Sequence, residues 1–256
     1  MAKIIAFSNQ KGGVGKTTSC VNFSAYLAAA GRRVLLVDAD PQGNATSGLG
    51  VAKNEIEKSI YDALLSDVPI REVILKTEVD GLDVAPSNID LAGAEIELVS
   101  EMGREKRLAQ ALTEVAAEYD YVTVDCPPSL GLLTINALAA ADSVIIPIQS
   151  EFYALEGLTQ LINSFKLVKR HLNANLEIDG VVLTMFDSRS LISNQIREQI
   201  TRYFGAKLFS TVIPRNVRLA EAPSHGVPVL LHDDRCAGAK AYRALAEEYI
   251  RRCERK

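Results

Sequence analysis

The chain has 256 residues, of which 48% are hydrophobic, and its formal net charge at pH 7 is −4. That length and apolar content are enough for a large buried core, in one large domain or two small ones. No apolar run approaches the ~18 residues that span a membrane. Four cysteines without C-x-x-C spacing, beside three histidines, argue against a zinc site. Unpaired thiols and a first strand with no leader before it favour the cytoplasm.

The charge is unevenly distributed along the chain. Residues 1–159 carry 12 Lys and Arg against 22 Asp and Glu, whereas residues 160–256 carry 16 against 10. Such asymmetry is typical of an acidic protein with one basic face. Charge alone does not distinguish this interpretation from charges scattered over solvated surfaces.

Apolar, β-branched runs alternate with helical patterns. Most of the runs are continuously apolar, as parallel strands covered on both faces require. Strands are predicted at residues 3–8, 34–38, 82–85, 121–125, 143–148, 180–185 and 207–213. The alternation predicts an α/β fold with a single doubly wound, mainly parallel sheet flanked by helices. Because no Pro-, Gly- or Ser-rich linker interrupts the chain, residues 1–256 are predicted to form one domain.

Four helices are predicted between these strands. They cover residues 17–30, 104–118, 155–171 and 191–204. The first ends at Gly31, a residue type that often terminates helices in the left-handed conformation. The last of the four has one apolar face, formed by Ile192, Ile196, Ile200 and Tyr203.

A glycine-rich loop follows the first strand. Residues 10–18 read Gln-Lys-Gly-Gly-Val-Gly-Lys-Thr-Thr, and the first predicted helix begins within them. In such a loop the backbone N–H groups surround phosphate, the lysine contacts the β- and γ-phosphates, and the threonine hydroxyl contacts Mg²⁺. The residues predicted to bind a nucleotide are Lys11, Gly12, Gly13, Val14, Gly15, Lys16, Thr17 and Thr18.

Two features of this loop are unusual. Gln10 stands where the usual spacing has a glycine, and Lys11 is an additional lysine at the start of the loop. The simpler interpretation of Lys11 is an ordinary solvated lysine. A functional interpretation requires it to contact a second phosphate group.

Aspartates follow two further predicted strands. Asp38 ends one of them, with Asp40 two residues later, and Asp125 ends another. Carboxylates at the ends of parallel strands face the same crevice as the loop, where one can hold metal-bound water and another can position an attacking water. The sequence around Asp40 is also a good turn, but the phosphate loop favours the functional interpretation. The neighbouring Cys126 is predicted to be a buried, unreactive thiol.

The motifs KGGVGKTT, DADPQGN, DCPPSLG, TMFDSRS and IPRNVRLAEAPSHG together resemble the ParA/Soj family of chromosome- and plasmid-partition ATPases. These are P-loop NTPases of the deviant Walker A group, which also contains MinD. The resemblance extends over residues 4–226. It implies ATP and Mg²⁺ as cofactors and a homodimer that forms on ATP binding, in which Lys11 contacts the nucleotide of the other subunit.

The resemblance also implies roles for individual residues. The catalytic residues would be Lys11, Lys16 and Asp40, and Asp40 would position the hydrolytic water. Turnover would be slow and stimulated by a partner, because no arginine that could stabilise the transition state accompanies the loop.

Metal and adenine contacts are implied in the same way. The metal site would comprise Thr17, Asp38 and Asp125. Pro214 and Asn216 match positions on the adenine side of the nucleotide.

Double-stranded DNA, bound without sequence preference, is a further implied partner. Arg189 and Arg218 match family positions that contact DNA, and arginines on adjacent loops can pair with phosphates. The alternative is that they are solvated or pair with Asp187 and Glu221. The protein would then be associated with the nucleoid.

A ParB/Spo0J-type centromere-binding protein is the implied activator, and a replication initiator stays open as another partner. The alternative function is a MinD-like membrane-associated division-site ATPase, whose C-terminal helix would be amphipathic. In this chain Tyr242, Leu245, Tyr249 and Ile250 share one face of a helical stretch, which is predicted to pack on the protein's own core. No membrane contact is therefore expected. An operator-reading N-terminal extension is not expected either.

Two other functions are less favoured. An electron-transfer ATPase like the nitrogenase iron protein would need cluster-ligating cysteines, but Cys20 and Cys126 belong to elements of the phosphate site. A nonenzymatic scaffold would not need Lys16, Asp40 and Asp125.

Overall fold

A single eight-stranded sheet forms the centre of the protein. The computed structural model describes residues 2–151 and 154–254. The strand order is β3-β4-β2-β5-β1-β6-β7-β8. The strands are β1 Lys3–Phe7, β2 Val34–Asp38, β3 Leu75–Lys76, β4 Leu82–Ala85, β5 Tyr121–Asp125, β6 Ser143–Gln149, β7 Glu177–Phe186 and β8 Leu208–Pro214.

Every strand pair in the sheet is parallel except β3–β4. β1 lies between β5 and β6, and the register places Phe7 beside Asp125 and Asp125 beside Asp38. The carboxyl ends of β1, β5 and β2 are therefore level with one another. This edge receives the glycine-rich loop, as expected for parallel α/β sheets.

The predicted α/β fold is confirmed, and so are the seven predicted strands. β2, β4 and β5 have the predicted bounds because both faces of these strands are covered and their sequences are mostly apolar. β7 begins three residues earlier than predicted, and its additional residues pair with the start of β6. The two-residue β3 was not predicted, since it is too short to show any periodicity.

Helices cover both faces of the sheet, and the sheet separates two hydrophobic clusters. They are α1 Lys16–Ala29, α2 Asn44–Gly48, α3 Ile60–Leu65, α4 Leu91–Glu97, α5 Arg107–Thr113, α6 Leu132–Ala140, α7 Ala154–His171, α8 Leu191–Phe204, α9 Val217–Glu221, α10 Val229–His232 and α11 Ala237–Glu254. Short 3₁₀ turns cover Ile70–Glu72, Leu98–Ser100, Gly205–Lys207 and Ala222–His225. Gly31 follows α1 with φ of 80°, as its predicted terminating role requires.

The bounds predicted for one helix were wrong. α5 is shorter than the predicted 104–118, because Asn136 accepts a hydrogen bond from the Leu108 N–H at its start and the chain after Thr113 continues in three-residue turns. The apolar face of α8 is only half buried. Its Ile196 and Ile200 are buried, whereas Ile192 and Tyr203 are largely exposed to solvent.

The C-terminal helix α11 packs on the sheet, as predicted. Tyr242, Leu245 and Tyr249 are buried, and the Tyr249 hydroxyl donates to Asp179 at 2.7 Å. Asp179 also pairs with Lys3 at the start of β1. The apolar face of α11 is therefore occupied by the protein itself. Within the described residues, no helix is both long and apolar enough to cross a membrane.

Candidate nucleotide-binding site

The loop between β1 and α1 has a backbone that requires glycine at two positions. Gly13 and Gly15 have φ of 74° and 79°, in the left-handed region that other residues rarely adopt. Val14 between them is buried, and its carbonyl accepts a hydrogen bond of 2.7 Å from the Thr184 hydroxyl at the end of β7. The loop is therefore fixed to the sheet while its first glycines, Gly12 and Gly13, have open space beside them.

Lys16 is the first residue of α1, and its side chain points into the protein. The residue is only 7% exposed, yet it forms no hydrogen bond or ion pair with another described residue. An ammonium group in this position is costly unless a counter-ion is supplied. The first turn of α1 contains no acidic residue, so the partial positive charge of the helix N-terminus is also available to an anion.

Asp125 has the complementary property at the end of β5. The residue is fully buried, and neither carboxylate oxygen has a hydrogen-bond partner in the described part of the chain. Burial raises the pKa of Asp125 to about 7, although the nearby charge of Lys16 acts in the opposite direction. A buried carboxylate with both oxygens unused is suited to bind a cation or a cation-bound water.

Asp38 is equally buried but fully engaged. One oxygen accepts hydrogen bonds from the Thr46 N–H at 2.8 Å and the Thr46 hydroxyl at 2.7 Å. The other accepts from the Asp40 N–H at 3.2 Å. Burial raises the pKa of Asp38 to about 6, and these hydrogen bonds limit the rise. Asp38 therefore holds α2 and the Asp40 loop in place, whereas Asp125 is available to a ligand.

Asp40 lies on the loop that leaves β2. It is buried, and its carboxylate accepts a hydrogen bond of 2.9 Å from the Gln42 N–H. Its own carbonyl accepts one of 2.8 Å from the Ser87 hydroxyl, after β4. The turn predicted from the Asp-Pro sequence is thus present, and neighbouring strands fix the position of the carboxylate.

Lys11 is partly exposed at the start of the loop. Its backbone N–H donates to the Asn9 side chain at 3.0 Å, and Asn9 in turn donates to the Pro147 carbonyl in β6. The Lys11 ammonium lies 3.5 Å from a carboxylate oxygen of Glu151 in the same chain. Lys11 therefore has a weak internal partner and keeps access to solvent.

The residues present fit a magnesium ion held together with phosphate. Mg²⁺ usually takes one or two protein oxygens and completes its coordination with phosphate oxygens and water. Asp125 offers two unused oxygens, and Thr17 supplies a hydroxyl in the first turn of α1. In the described part of the chain, no cluster of three or more His, Cys, Asp or Glu could hold an ion without such phosphate oxygens.

The cysteines near this site are unreactive by position. Cys20 and Cys126 are free and completely buried. Burial raises the pKa of both thiols, and the nearby Asp125 carboxylate raises it further. The prediction of a buried Cys126 is confirmed.

Four predicted contact residues lie on the basic half of the chain. Pro214 ends β8 and pairs in register with Phe186. Asn216 caps α9, since its side chain accepts a hydrogen bond of 3.0 Å from the Arg218 N–H. Both residues lie at the carboxyl end of β8, on the same edge of the sheet as the glycine-rich loop. In the strand order, β6 and β7 separate β8 from β1, which precedes the loop and Lys16.

Arg189 and Arg218 are exposed and have acidic neighbours. Arg189, 90% exposed in its side chain, lies 3.2 Å from Asp187. Arg218 lies 2.7 Å from Glu221 and 3.5 Å from Asp233. Both pairings that the sequence left open are thus present. Exposed ion pairs of this kind contribute little stability and exchange readily for other partners.

Residues that position the site were missed at the sequence level. The side-chain hydroxyls of Thr46, Ser87 and Thr184 donate hydrogen bonds to Asp38, to the Asp40 carbonyl and to the glycine-rich loop, respectively. Nothing in their spacing distinguishes them from other hydroxyl residues.

A glycine-rich loop between β1 and α1, with Lys16 and two aspartates at the ends of adjacent parallel strands, places the chain among the P-loop α/β nucleotide-binding proteins. A model of the AAA domain family matches residues 2–178. The chain is 59% identical over 248 residues to the sporulation initiation inhibitor protein Soj of Bacillus subtilis, covering 97% of this chain and 98% of that protein. It is 55% identical to the chromosome partitioning protein ParA of Myxococcus xanthus, covering 98% and 89% of the two chains.

Solved structures agree with this similarity. The fold matches the crystal structure of a Mycobacterium smegmatis protein described as cobyrinic acid a,c-diamide synthase with bound ADP and magnesium, with a TM-score of 0.88 and 37% identity. The match covers 99% of this chain and 96% of that one. The chain belongs to the ParA/Soj family of partition ATPases.

Proposed function

We propose that this protein is an ATP-dependent dimerising switch that binds DNA without sequence preference and hydrolyses ATP to drive chromosome or plasmid partition. The observation that carries the proposal is a buried pair of opposite charges: Lys16, which is 7% exposed, and Asp125, which is fully buried and whose two carboxylate oxygens have no hydrogen-bond partner in the described part of the chain. Buried charged groups of this kind are stabilised when a ligand supplies their partners. A nucleoside triphosphate supplies an anion for Lys16, and Mg²⁺ supplies a cation for Asp125.

In the nucleotide complex, the loop glycines give phosphate access to the backbone N–H groups, and Lys16 neutralises the β- and γ-phosphates. Thr17 and Asp125 would hold a magnesium ion, whose charge would help to neutralise the phosphate oxygens. Asp38 acts on this site indirectly, by fixing the Asp40 loop. Pro214 and Asn216 contact the adenine side. Residues 1–256 act as one domain.

Hydrolysis depends on Asp40. Its carboxylate is held by Gln42 and the Ser87 contact to its backbone, so it can orient an attacking water without moving. Turnover is slow until a partner stabilises the transition state. In related phosphoryl-transfer reactions, an arginine that does so raises the rate by ~10³–10⁵. The partner proposed here is a ParB/Spo0J-type centromere-binding protein.

Dimerisation depends on Lys11. Its ammonium is accessible and, among the described residues, contacts a carboxylate only in Glu151, at 3.5 Å. This contact costs little to break. Exchanging that contact for a phosphate of the other subunit's nucleotide makes ATP the signal for assembly. The dimer brings together Arg189 and Arg218 from two chains on one DNA backbone, which places the protein on the nucleoid.

The membrane-associated alternative is not favoured. A MinD-like protein requires a C-terminal helix with a free apolar face. In this chain the apolar residues of α11, Tyr242, Leu245 and Tyr249, are buried against the sheet.

A gel-shift assay on random-sequence duplex DNA tests the proposal. The wild-type protein should bind with ATP and not with ADP. Lys11→Ala should bind ATP but fail to shift DNA. Asp40→Ala should shift DNA with ATP and keep it bound while the wild-type complex decays through hydrolysis. Binding that is equal with ATP and ADP, or binding by Lys11→Ala equal to that of wild type, would contradict the switch.

A further inference from the structure

Strand β8 is the last strand at one side of the sheet in the described part of the chain. The backbone groups on the outer side of such a strand are a template for pairing with another chain. The strand is irregular here. Val181 of β7 pairs with Leu208 and Leu183 pairs with Val212, so β8 advances by four residues while β7 advances by two. A bulge of this kind leaves backbone groups out of the ladder with β7.

The carboxylate of Glu248 in α11 binds the N–H groups of this bulge. One oxygen accepts from the Ser210 N–H at 2.8 Å and the other from the Thr211 N–H at 2.9 Å. The Thr211 hydroxyl donates to the carboxylate at 2.7 Å. Burial raises the pKa of Glu248, but these hydrogen bonds outweigh burial and hold the pKa below its usual range. The ionised Glu248 therefore takes the place of the carbonyl acceptors that an added strand would supply.

Arg252, one turn further along α11, binds carbonyl groups at the same edge. Its guanidinium donates to the Leu208 carbonyl at 2.8 Å and to the Ala206 carbonyl at 3.3 Å. It also pairs with Glu248 at 2.6 Å and lies over the ring of Phe209. The two charged side chains thus supply an acceptor and a donor to the edge of β8, and we call this pair the edge latch.

The neighbouring pair on α11 has the same chemistry without the burial. Glu247 and Arg251 lie 3.7 Å apart, and their side chains are 54% and 59% exposed. In the edge latch, Glu248 and Arg252 are 12% and 28% exposed. Both pairs have the same helical spacing, which by itself adds little stability. The contacts with β8 therefore distinguish the edge latch from an ordinary pair on a helix surface.

The edge latch stands beside a groove of about 480 Å³. The groove is lined by Ser210, Thr211, Glu248, Arg251 and Arg252. The opposite side of the sheet offers β8 a poor partner, because β3 has only two residues, and one of them, Lys76, pairs with Asp83. A second copy of this chain would therefore approach β8 with its own β8. Pairing of two identical edges is two-fold symmetric and closes as a dimer.

We propose that Glu248 and Arg252 close the β8 edge against pairing with a second copy of this chain. The carboxylate and the guanidinium occupy the donors and acceptors that an opposing β8 would bind. This device goes beyond the proposed function and acts at a different surface. In a protein whose assembly is controlled by ATP, it keeps the sheet edge from assembling without nucleotide.

Analytical ultracentrifugation of the full chain in EDTA, without nucleotide, tests the proposal. Glu248→Ala/Arg252→Ala frees the edge, and the loss of its charge-assisted hydrogen bonds should raise the affinity of self-association by about tenfold or more over wild type. Glu247→Ala/Arg251→Ala is the matched control, since it removes the same two charges from the same helix, and it should sediment as wild type does. Circular dichroism checks that each variant is folded. A folded edge-latch variant that sediments as wild type, or a control that self-associates equally, would overturn the proposal.

A lysine on β8 tests where the new contact forms. Ser210 is exposed, and adding Ser210→Lys to the edge-latch variant places like charges on two opposing strands, which disfavours their pairing. Self-association should return to the wild-type level. Ser100→Lys, at another exposed serine, adds the same charge elsewhere and should leave self-association unchanged. Equal effects of the two lysines would show that the contact lies outside β8 and would overturn the proposal.

Hydrogen exchange on the wild-type chain gives a test that does not depend on the folding of the double variant. The Ser210 and Thr211 amides should be protected although they lie on an edge strand. Glu248→Gln leaves one acceptor oxygen for two N–H groups and removes the charge, so exchange at these amides should be about tenfold faster or more. Glu247→Gln should leave it unchanged. Exchange in wild type as fast as that of unprotected amides would overturn the proposal, whereas the proposed function would stand.

Discussion

The candidate nucleotide-binding site and the loops that carry Arg189 and Arg218 differ in the burial and the pairing of their charged side chains. Lys16 and Asp125 are buried and lack hydrogen-bond partners among the described residues. Arg189 and Arg218 are exposed and paired with carboxylates of their own chain. Burying an unsatisfied charge costs several kcal/mol, whereas an exposed ion pair contributes ~0–1 kcal/mol.

This difference sets what each region can do. The buried charges of Lys16 and Asp125 are unfavourable until a ligand pairs with them. The ligand should therefore bind tightly and stabilise the fold. The arginines lose little when their acidic neighbours are exchanged for phosphates, so each arginine should bind DNA weakly and the total affinity should depend on how many arginines bind. A dimer, which doubles that number, is the natural way to make such binding strong.

Lys16→Ala is the variant expected to have the largest effect. Truncating one partner of a buried charged contact costs ~2–5 kcal/mol, so the affinity for Mg-ATP should fall by about 30-fold or more. Isothermal titration calorimetry with a non-hydrolysable ATP analogue measures this loss directly. The control is Lys58→Ala, which removes an exposed lysine paired with Glu72. Wild-type affinity in Lys16→Ala would remove the basis for a phosphate role.

Asp125→Asn is expected to have an intermediate effect, and its sign depends on pH. Because burial raises the pKa of Asp125 to about 7 in the folded protein, from ~3.9 in the unfolded chain, the folded state binds more protons between these values. The free energy of unfolding of the ligand-free wild-type protein should therefore fall as the pH rises from about 4 to 7. Asp38, with a pKa raised to about 6, contributes in the same direction.

The amide introduced by Asp125→Asn cannot ionise, so the ligand-free variant should lose part of this pH dependence. In EDTA its melting temperature at pH 8 should exceed that of wild type by about 3–6 °C, and the difference should shrink towards pH 4. With Mg-ATP the order should reverse, because the variant has lost a metal-binding carboxylate. Thermal unfolding followed by circular dichroism measures both. A destabilised variant at pH 8 without ligand would show that the Asp125 charge is compensated in a way that its geometry does not reveal.

The same contrast explains which features could be predicted from sequence. Strands β2, β4 and β5 are mostly apolar and covered on both faces, so the sequence predicts them with their observed bounds. The glycine-rich loop is predicted from its fixed spacing. The short helices α2 and α4 were not predicted, because long-range contacts hold them, as the Thr46 hydrogen bonds to Asp38 hold α2. The different environments of Asp38 and Asp125 also depend on Thr46. Two aspartates at the ends of adjacent strands look equivalent in the sequence.

Removing the acidic partner of Arg189 has the smallest expected effect. It is also the most direct test of whether exposed arginines exchange their carboxylate partners for DNA phosphates. Asp187→Asn removes the acidic neighbour of Arg189, so ATP-dependent DNA binding should strengthen by about two- to fivefold, the scale of one exposed ion pair. Arg189→Ala should weaken binding and lower the slope of log affinity against log salt by about 0.9 for each phosphate that is no longer neutralised, or about twice that for a dimer. Anisotropy with labelled duplex DNA over a salt series measures both the affinity and its salt dependence. Asp80→Asn, which removes an exposed acid from the other half of the chain, controls for net charge. If Asp187→Asn and Asp80→Asn strengthen binding equally, the effect belongs to overall charge, and Arg189 does not contact DNA through the exchange described above.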